Sequence, residues 1–195
     1  MAVTFSNTNR PLNPRGQDAS PLAYNRAALY SGKALDFDGV GDYVDCGTLD
    51  ITAYTAISFA GYIKIDDFNS TQLVLSILHS NTDDIRIVVQ TGYLEIGVDD
   101  GTYYRLLVDV NLNEWYFVNL TFDGSLLKAY INGQEAGSMA ASFDFTTASG
   151  AINLGQRVGG GFPYDGQMSN ARLFNTALTA AQIADLYNNP EKIVP

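Results

Sequence analysis

The chain has 195 residues, 46% of them hydrophobic, with a formal net charge of -10 and a mean hydropathy of -0.02. That length suits one domain with a sizeable core that needs no metal or disulfide staple. With 11 basic against 21 acidic residues, nucleic acid and anionic membranes are not expected partners. The longest apolar runs, such as Leu73 to Leu78, fall far short of the roughly 20 residues a membrane span needs.

Charged residues make up only 16% of the chain, against about 25% in ordinary globular proteins. Low charge with many aromatics suits a β-rich protein with large contact surfaces. Cys46 is the lone cysteine, so neither an intrachain disulfide nor a CxxC metal site can form. The opening MAVTFSNTNRPLN has no basic n-region and no apolar h-region, so no secretory signal is expected.

Residues 1–33 differ from the rest. They carry Arg10, Arg15, Arg26 and Lys33 against Asp18 alone, so the acidic excess falls beyond them. Pro11, Pro14 and Pro21 sit among Asn, Ser and Gly, with no apolar period. Prolines remove ladder donors and extend their neighbours. This stretch reads as an extended basic arm and lead-in, with residues 34–188 as the domain and 189–195 as a tail. Arm residues Phe5, Arg10, Leu12, Arg15, Leu22 and Arg26 are the expected assembly contacts, the arginines meeting acidic groups or carbonyls of another chain.

From Ala34 the pattern becomes strands and tight turns. Ile57, Phe59, Ile63 and Ile65 point one way and Ser58, Tyr62 and Lys64 the other, the period-2 signal of a half-buried strand. Ile85, Ile87 and Val89 alternate with Arg86 and Gln90. Hairpin turns are expected at Thr91-Gly92, Asp99-Asp100-Gly101, Asp123-Gly124 and Asn132-Gly133, whose residue types supply positive φ. About a dozen short strands predict an all-β, two-sheet antiparallel jelly-roll sandwich over residues 34–175. One helix is predicted near the end. Thr179-Ala180-Ala181-Gln182 reads as a capping box, Ile183, Leu186 and Tyr187 form one face, and Pro190 stops it. It is expected at the sandwich edge or closing one end.

The run Gly32-Lys33-Ala34-Leu35-Asp36-Phe37-Asp38-Gly39, then Asp42-Tyr43-Val44, resembles the opening of laminin-G-like, concanavalin A-like jelly rolls. Ala56-Ile57-Ser58-Phe59, Asn113-Glu114-Trp115-Tyr116, Leu127-Lys128-Ala129-Tyr130-Ile131-Asn132-Gly133, Phe162 to Gly166 and Ala171-Arg172-Leu173-Phe174-Asn175 resemble its later segments in the same order. The resemblance covers roughly residues 27–188 and implies the same fold, but a fold does not fix a function.

Catalysis is not expected. Glycoside hydrolysis needs two carboxylates about 5–5.5 or 6.5–9.5 Å apart. The related glucanases resemble one another in an acidic run of alternating carboxylates, and no Glu-x-Asp-x-Glu occurs here. Glu95 and Asp99 come nearest. His79 is the single histidine, which leaves a triad or a multi-histidine zinc site at most one base or ligand. No cofactor is required. The resemblance makes Ca2+ the candidate ion, with Asp38 matching the family's first acidic position and Asn170 offering a neutral oxygen later. Asp66-Asp67 and Asp99-Asp100 read as turn caps instead. For glycans, the candidates are Tyr103, Tyr104, Phe162 and Tyr164, aromatics near turns, the last two beside Gly159-Gly160-Gly161. Asn69-Ser70-Thr71 and Asn119-Leu120-Thr121 match the glycosylation sequon.

Laminin-G-like domains with no signal peptide are familiar in tailed-phage virions, and the chain resembles those. The arm and that resemblance together imply a non-enzymatic virion protein that decorates or cements a capsid or sits on a tail. Its expected partners are other virion proteins or its own copies through the arm. The outward jelly roll is a candidate glycan binder. The alternative is a carbohydrate-binding module that reads host or matrix polysaccharide.

Overall fold

The computed structural model describes residues 34–78, 83–145 and 149–190. The six arm residues named above, and His79, lie outside the described residues. Twelve strands follow in order: β1 Leu35–Asp38, β2 Val44–Asp50, β3 Ile57–Ile65, β4 Gln72–Leu78, β5 Asp83–Gln90, β6 Tyr93–Asp100, β7 Tyr103–Asp109, β8 Trp115–Phe122, β9 Leu126–Ile131, β10 Gln134–Ala140, β11 Ser149–Leu154 and β12 Asp165–Phe174. They form two six-stranded sheets, ordered β1-β12-β3-β8-β9-β10 and β2-β11-β4-β5-β6-β7. Each pairing is antiparallel.

Alternation builds the core. The inward rows of the first sheet include Ile57, Phe59, Ile63 and Ile65 of β3 and Val118, Leu120 and Phe122 of β8. Those of the second include Ile85, Ile87 and Val89 of β5 and Leu94, Ile96 and Val98 of β6. All are essentially fully buried. Each such side chain contributes about 1.5–3 kcal/mol of burial, so a one-residue slip that turned a row outward is strongly opposed. At the β9–β10 turn, Ile131 pairs with Gln134, and Asn132 (φ 51°) and Gly133 (φ 82°) make the two-residue connection with both residues left-handed. That is what an Asn-Gly hairpin supplies. At Asp123-Gly124 the loop is longer, because Phe122 pairs with Leu127 and Asp123 Oδ1 caps the amides of Ser125 and Leu126.

Helix α1 spans Ala180–Asn188. Thr179 caps it, and Gln182 returns the bond, so the capping box is complete. Its placement differs from expectation. It lies on the outer face of the first sheet, where Leu178, Ile183 and Leu186 pack on Ala60, Tyr62, Phe117 and Tyr130. Those outward residues are apolar or aromatic, so only a cover of this kind removes them from water.

Asn119 lies in the same outward row, between Ala60 and Tyr130. It is completely buried, and neither amide atom has a hydrogen-bond partner among the described residues. Such an orphaned group costs about 1–3 kcal/mol. Asn119→Leu should therefore raise the urea midpoint, by about 1 kcal/mol of stability, without altering the fold. An unchanged or lower midpoint would show that the amide is satisfied in solution.

Candidate ligand-binding face

Among the described residues, no element covers the outer face of β5 to β7, and there the sequence places charge. On β5 to β7 the outward residues are Asp84 and Arg86, then Glu95, Gly97 and Asp99, then Tyr103, Arg105 and Leu107, set side by side by the pairings Asp84↔Asp99↔Tyr103, Arg86↔Gly97↔Arg105 and Val88↔Glu95↔Leu107. Gly97 is the gap in this layer. A Cβ there would lie 2.6 Å from Tyr103 Cε2 and 2.6 Å from the Tyr104 carbonyl. Because no side chain stands at Gly97, the Tyr103 ring lies down over the strand. The Arg86 guanidinium sits 3.8 Å from its centroid and that of Arg105 5.4 Å, within cation–π range.

Carboxylates hold both arginines. Arg86 donates to Asp84 Oδ2 at 2.8 Å and to Asp99 Oδ2 at 3.4 Å, and Arg105 donates to Glu95 Oε2 at 3.2 Å. The side chains of Asp84 and Glu95 are only 7% and 8% exposed, whereas Arg105 is 52% exposed. Buried charges of this kind persist only when paired. Burial pushes the Asp84 carboxyl above the usual carboxylate range, nearby Asp99 adds to that, and Arg86 and Arg157 oppose it.

A wall borders the face. Beyond β11 the chain loops over β4, with Val158 N donating to Ser76 Oγ and Leu73 N to the Phe162 carbonyl. Three consecutive left-handed glycines, Gly159, Gly160 and Gly161, shape the loop tip. Phe162, 43% exposed, and Leu107, 58% exposed, offer the apolar surface at the margins of this face.

Of the aromatic candidates, Phe162 is exposed in this wall and Tyr103 lies in the face, but as the bed of Arg86 and not as a free platform. Tyr104 is on the other side of β7, packed against the core, because neighbours in a strand point oppositely. Tyr164 is completely buried. Its hydroxyl donates to the Lys64 carbonyl at 2.9 Å and its ring meets Phe37 edge-on. These two are packing residues.

Asp38 and Asn170, paired as calcium candidates, do not come together. Asp38 pairs with Asp165 at the start of β12, and Asn170 lies five residues further, roughly 16 Å along the strand. Asn170 sits in a bulge at φ 51°, beside Arg172 and Pro190. Among the described residues, no three His, Cys, Asp or Glu side chains form a metal-holding group. Asp67, Asp99 and Asp100 cap turns as expected, through the amides of Asn69, Gly101 and Thr102.

A laminin G-type family model, described as the concanavalin A-like lectin/glucanases superfamily, matches residues 38–184. The chain belongs to this superfamily. No curated protein matches it in sequence. Among solved structures, the lectin/glucanase fold is shared with a heptameric SAP-like pentraxin from Limulus polyphemus, at 20% identity and TM-score 0.59, over 78% of this chain and 80% of that one. Domain 4 of AbnA, a GH43 extracellular arabinanase from Geobacillus stearothermophilus solved with arabinotriose, has 20% identity and TM-score 0.64, over 84% and 85%. The receptor-binding domain of a botulinum neurotoxin C/D mosaic serotype has 19% and 0.66, over 81% of this chain and 45% of that one. At such identities the likeness establishes the superfamily fold alone.

Within that fold Tyr103 makes a measurable signature. Its phenol is pushed up to about 12, chiefly by burial, with Arg86 pulling it down and Glu95 pushing it up. The unfolded phenol ionises near 10. The neutral ring thus contributes stability that is fully present below about pH 10 and is lost as pH rises through about 12. Denaturation midpoints of Tyr103→Phe should fall less steeply above pH 10 than those of the parent. Parallel pH profiles would mean that Tyr103 is not buried as described.

Proposed function

We propose that the chain is a non-catalytic carbohydrate-binding module that holds a glycan on the outer face of β5, β6 and β7. The observation that carries this reading is the Arg86–Tyr103–Arg105 stack over Gly97, braced by Asp84, Glu95 and Asp99. Fixed guanidinium and carboxylate groups offer donors and acceptors at set positions, as sugar hydroxyls require, and bracing lowers the entropy lost on binding. Exposed Leu107 and Phe162 would cover the apolar faces of sugar rings. The AbnA domain solved with arabinotriose and a botulinum neurotoxin type C whose cell entry depends on two ganglioside molecules share the fold, which supports a glycan ligand.

Two features weigh against hydrolysis. Glu95 and Asp99 lie four residues apart on one strand, roughly 13 Å, beyond the roughly 9.5 Å limit for paired glycosidase carboxylates. Asp84 and Asp99 stand directly opposite, with Cβ atoms about 4.5–5.5 Å apart, a juxtaposition the sequence spacing did not reveal. Arg86 bridges that pair and Asp84 is nearly buried, so neither carboxylate is free to protonate a leaving group. Residues 1–33 would attach the module to a virion, as decoration, cement or tail component, their basic charge opposing the acidic domain.

The test is binding to a panel of immobilised oligosaccharides. Arg105→Ala and Arg86→Ala should each weaken binding at least tenfold, while Lys128→Ala on the opposite sheet should leave it unchanged. Incubation with the bound glycan should release no reducing ends. Binding that survives both arginine substitutions, or turnover abolished by Asp99→Asn, would overturn the reading.

A further inference from the structure

The sandwich has two sides where its sheets end. On one side β7 and β10 close on each other: Leu106 lies where a Gly137 Cβ would touch it at 3.3 Å, and just past β10 Ser142 Oγ donates to Asp100 Oδ2 and accepts from the Tyr104 hydroxyl. The other side carries edge strands β1 and β2, joined by residues 39–43, each with a single neighbour among the described residues. In β2, residues 45–48 are all exposed. Leu35, Val40 and Tyr43 are exposed large apolar residues on this side, Val40 to 80%.

Asp36, Asp38, Asp42, Asp45 and Asp50 are all exposed here, and residues 34–50 contain no lysine or arginine. Exposed edges are commonly protected by charge and bulges, and β2 has a bulge at Cys46–Gly47. Lysine is the usual protecting charge, however, and here each charge is acidic. A β2-to-β2 contact between copies would set aspartates against aspartates and is opposed. A basic extended segment meets the opposite situation.

We propose that the β1–β2 edge is the docking site for residues 1–33 of a second copy of this chain, added alongside β2 as an extra strand. The proposal rests on the reading of residues 1–33 as an attachment arm. Its occupant is chosen on charge, Arg10, Arg15, Arg26 and Lys33 against five aspartates, and on reach. At about 3.3 Å per residue, 33 residues extend to roughly 110 Å, ample for a neighbouring molecule. Backbone pairing away from Pro11, Pro14 and Pro21, which lack a ladder donor, supplies affinity, and the apolar side chains Phe5, Leu12 and Leu22 supply partners for Leu35, Val40 and Tyr43.

The experiment is light scattering of the full chain across concentration, with hydrogen exchange of the β2 amides. Concentration-dependent association with new protection in β2 is expected. The double variant Asp36→Lys/Asp42→Lys should weaken association at least tenfold, as should Arg10→Asp/Arg15→Asp, and the two combined should restore it. Association that resists the aspartate changes but is lost with the arginine changes overturns the edge as acceptor and leaves the arm reading standing. Association that resists both overturns the arm reading as well. A monomer at every concentration, with or without protected β2 amides, overturns docking between copies.

Discussion

Tyr164 pins the crossover from the second sheet to the first, and the geometry of the candidate face depends on that anchor. The chain leaves β11 at Gly155, loops outward, and returns through Tyr164 into β12. Tyr164 N donates to the Gly155 carbonyl, Gly39 N donates to the Tyr164 carbonyl, and the phenol reaches back to Lys64. Gly155 is left-handed, at φ +83°, and a Cβ there would collide with Phe37 at 2.3 Å. Phe37, Gly155 and Tyr164 therefore form one packed joint. With both ends of the loop fixed, residues 156–161 have little choice but to lie over β4, where they wall the outer face of the second sheet.

Two sheets present four faces. Two turn inward and make the core. Helix α1 covers the outward row of Ala60, Tyr62, Phe117 and Tyr130 on the first sheet, and the complete capping box at Thr179 fixes where that cover starts. The face that remains among the described residues is that of β5 to β7, and it is the one built from guanidinium, carboxylate and phenol groups. A sequence that spends its apolar and aromatic outward residues under a helix, and its charged ones on the open face, assigns those faces different work.

Much of this was legible in the sequence and some was not. Period-2 alternation located the strands because one side of each must be buried, and Asn132-Gly133 located its turn because few residues tolerate positive φ. The same alternation sets Tyr103 and Tyr104 on opposite sides of β7, so only one of the two can reach the open face. Tyr164 was another matter. Nothing local distinguishes it from exposed Phe162, since its burial depends on Phe37, far away in the chain. The Arg86–Tyr103–Arg105 stack was missed because it needs three strands in register and a glycine at the centre. Charged residues on alternate positions of neighbouring strands hinted at it, but only the pairing of Arg86, Gly97 and Arg105 in one row made it visible. The separation of Asp38 from Asn170 likewise follows from the β1–β12 register, which residue types do not reveal.

Charge distribution joins the face to the edge. The described residues include six basic side chains, Lys64, Arg86, Arg105, Lys128, Arg157 and Arg172. Arg86 and Arg105 stand on the open face of the second sheet, and Arg157 lies in its wall, close enough to Asp84 to oppose its raised pKa. Against them stand Asp84, Glu95 and Asp99, so in a chain of net charge -10 this face is close to neutral. The β1–β2 edge, by contrast, holds five exposed aspartates and no base. A near-neutral face loses little to long-range repulsion when a glycan approaches, whereas the acidic edge draws a basic strand and repels another edge like itself. The proposed glycan and the proposed arm of a neighbouring copy would thus be sorted by electrostatics before either makes contact, on two surfaces of one small sandwich.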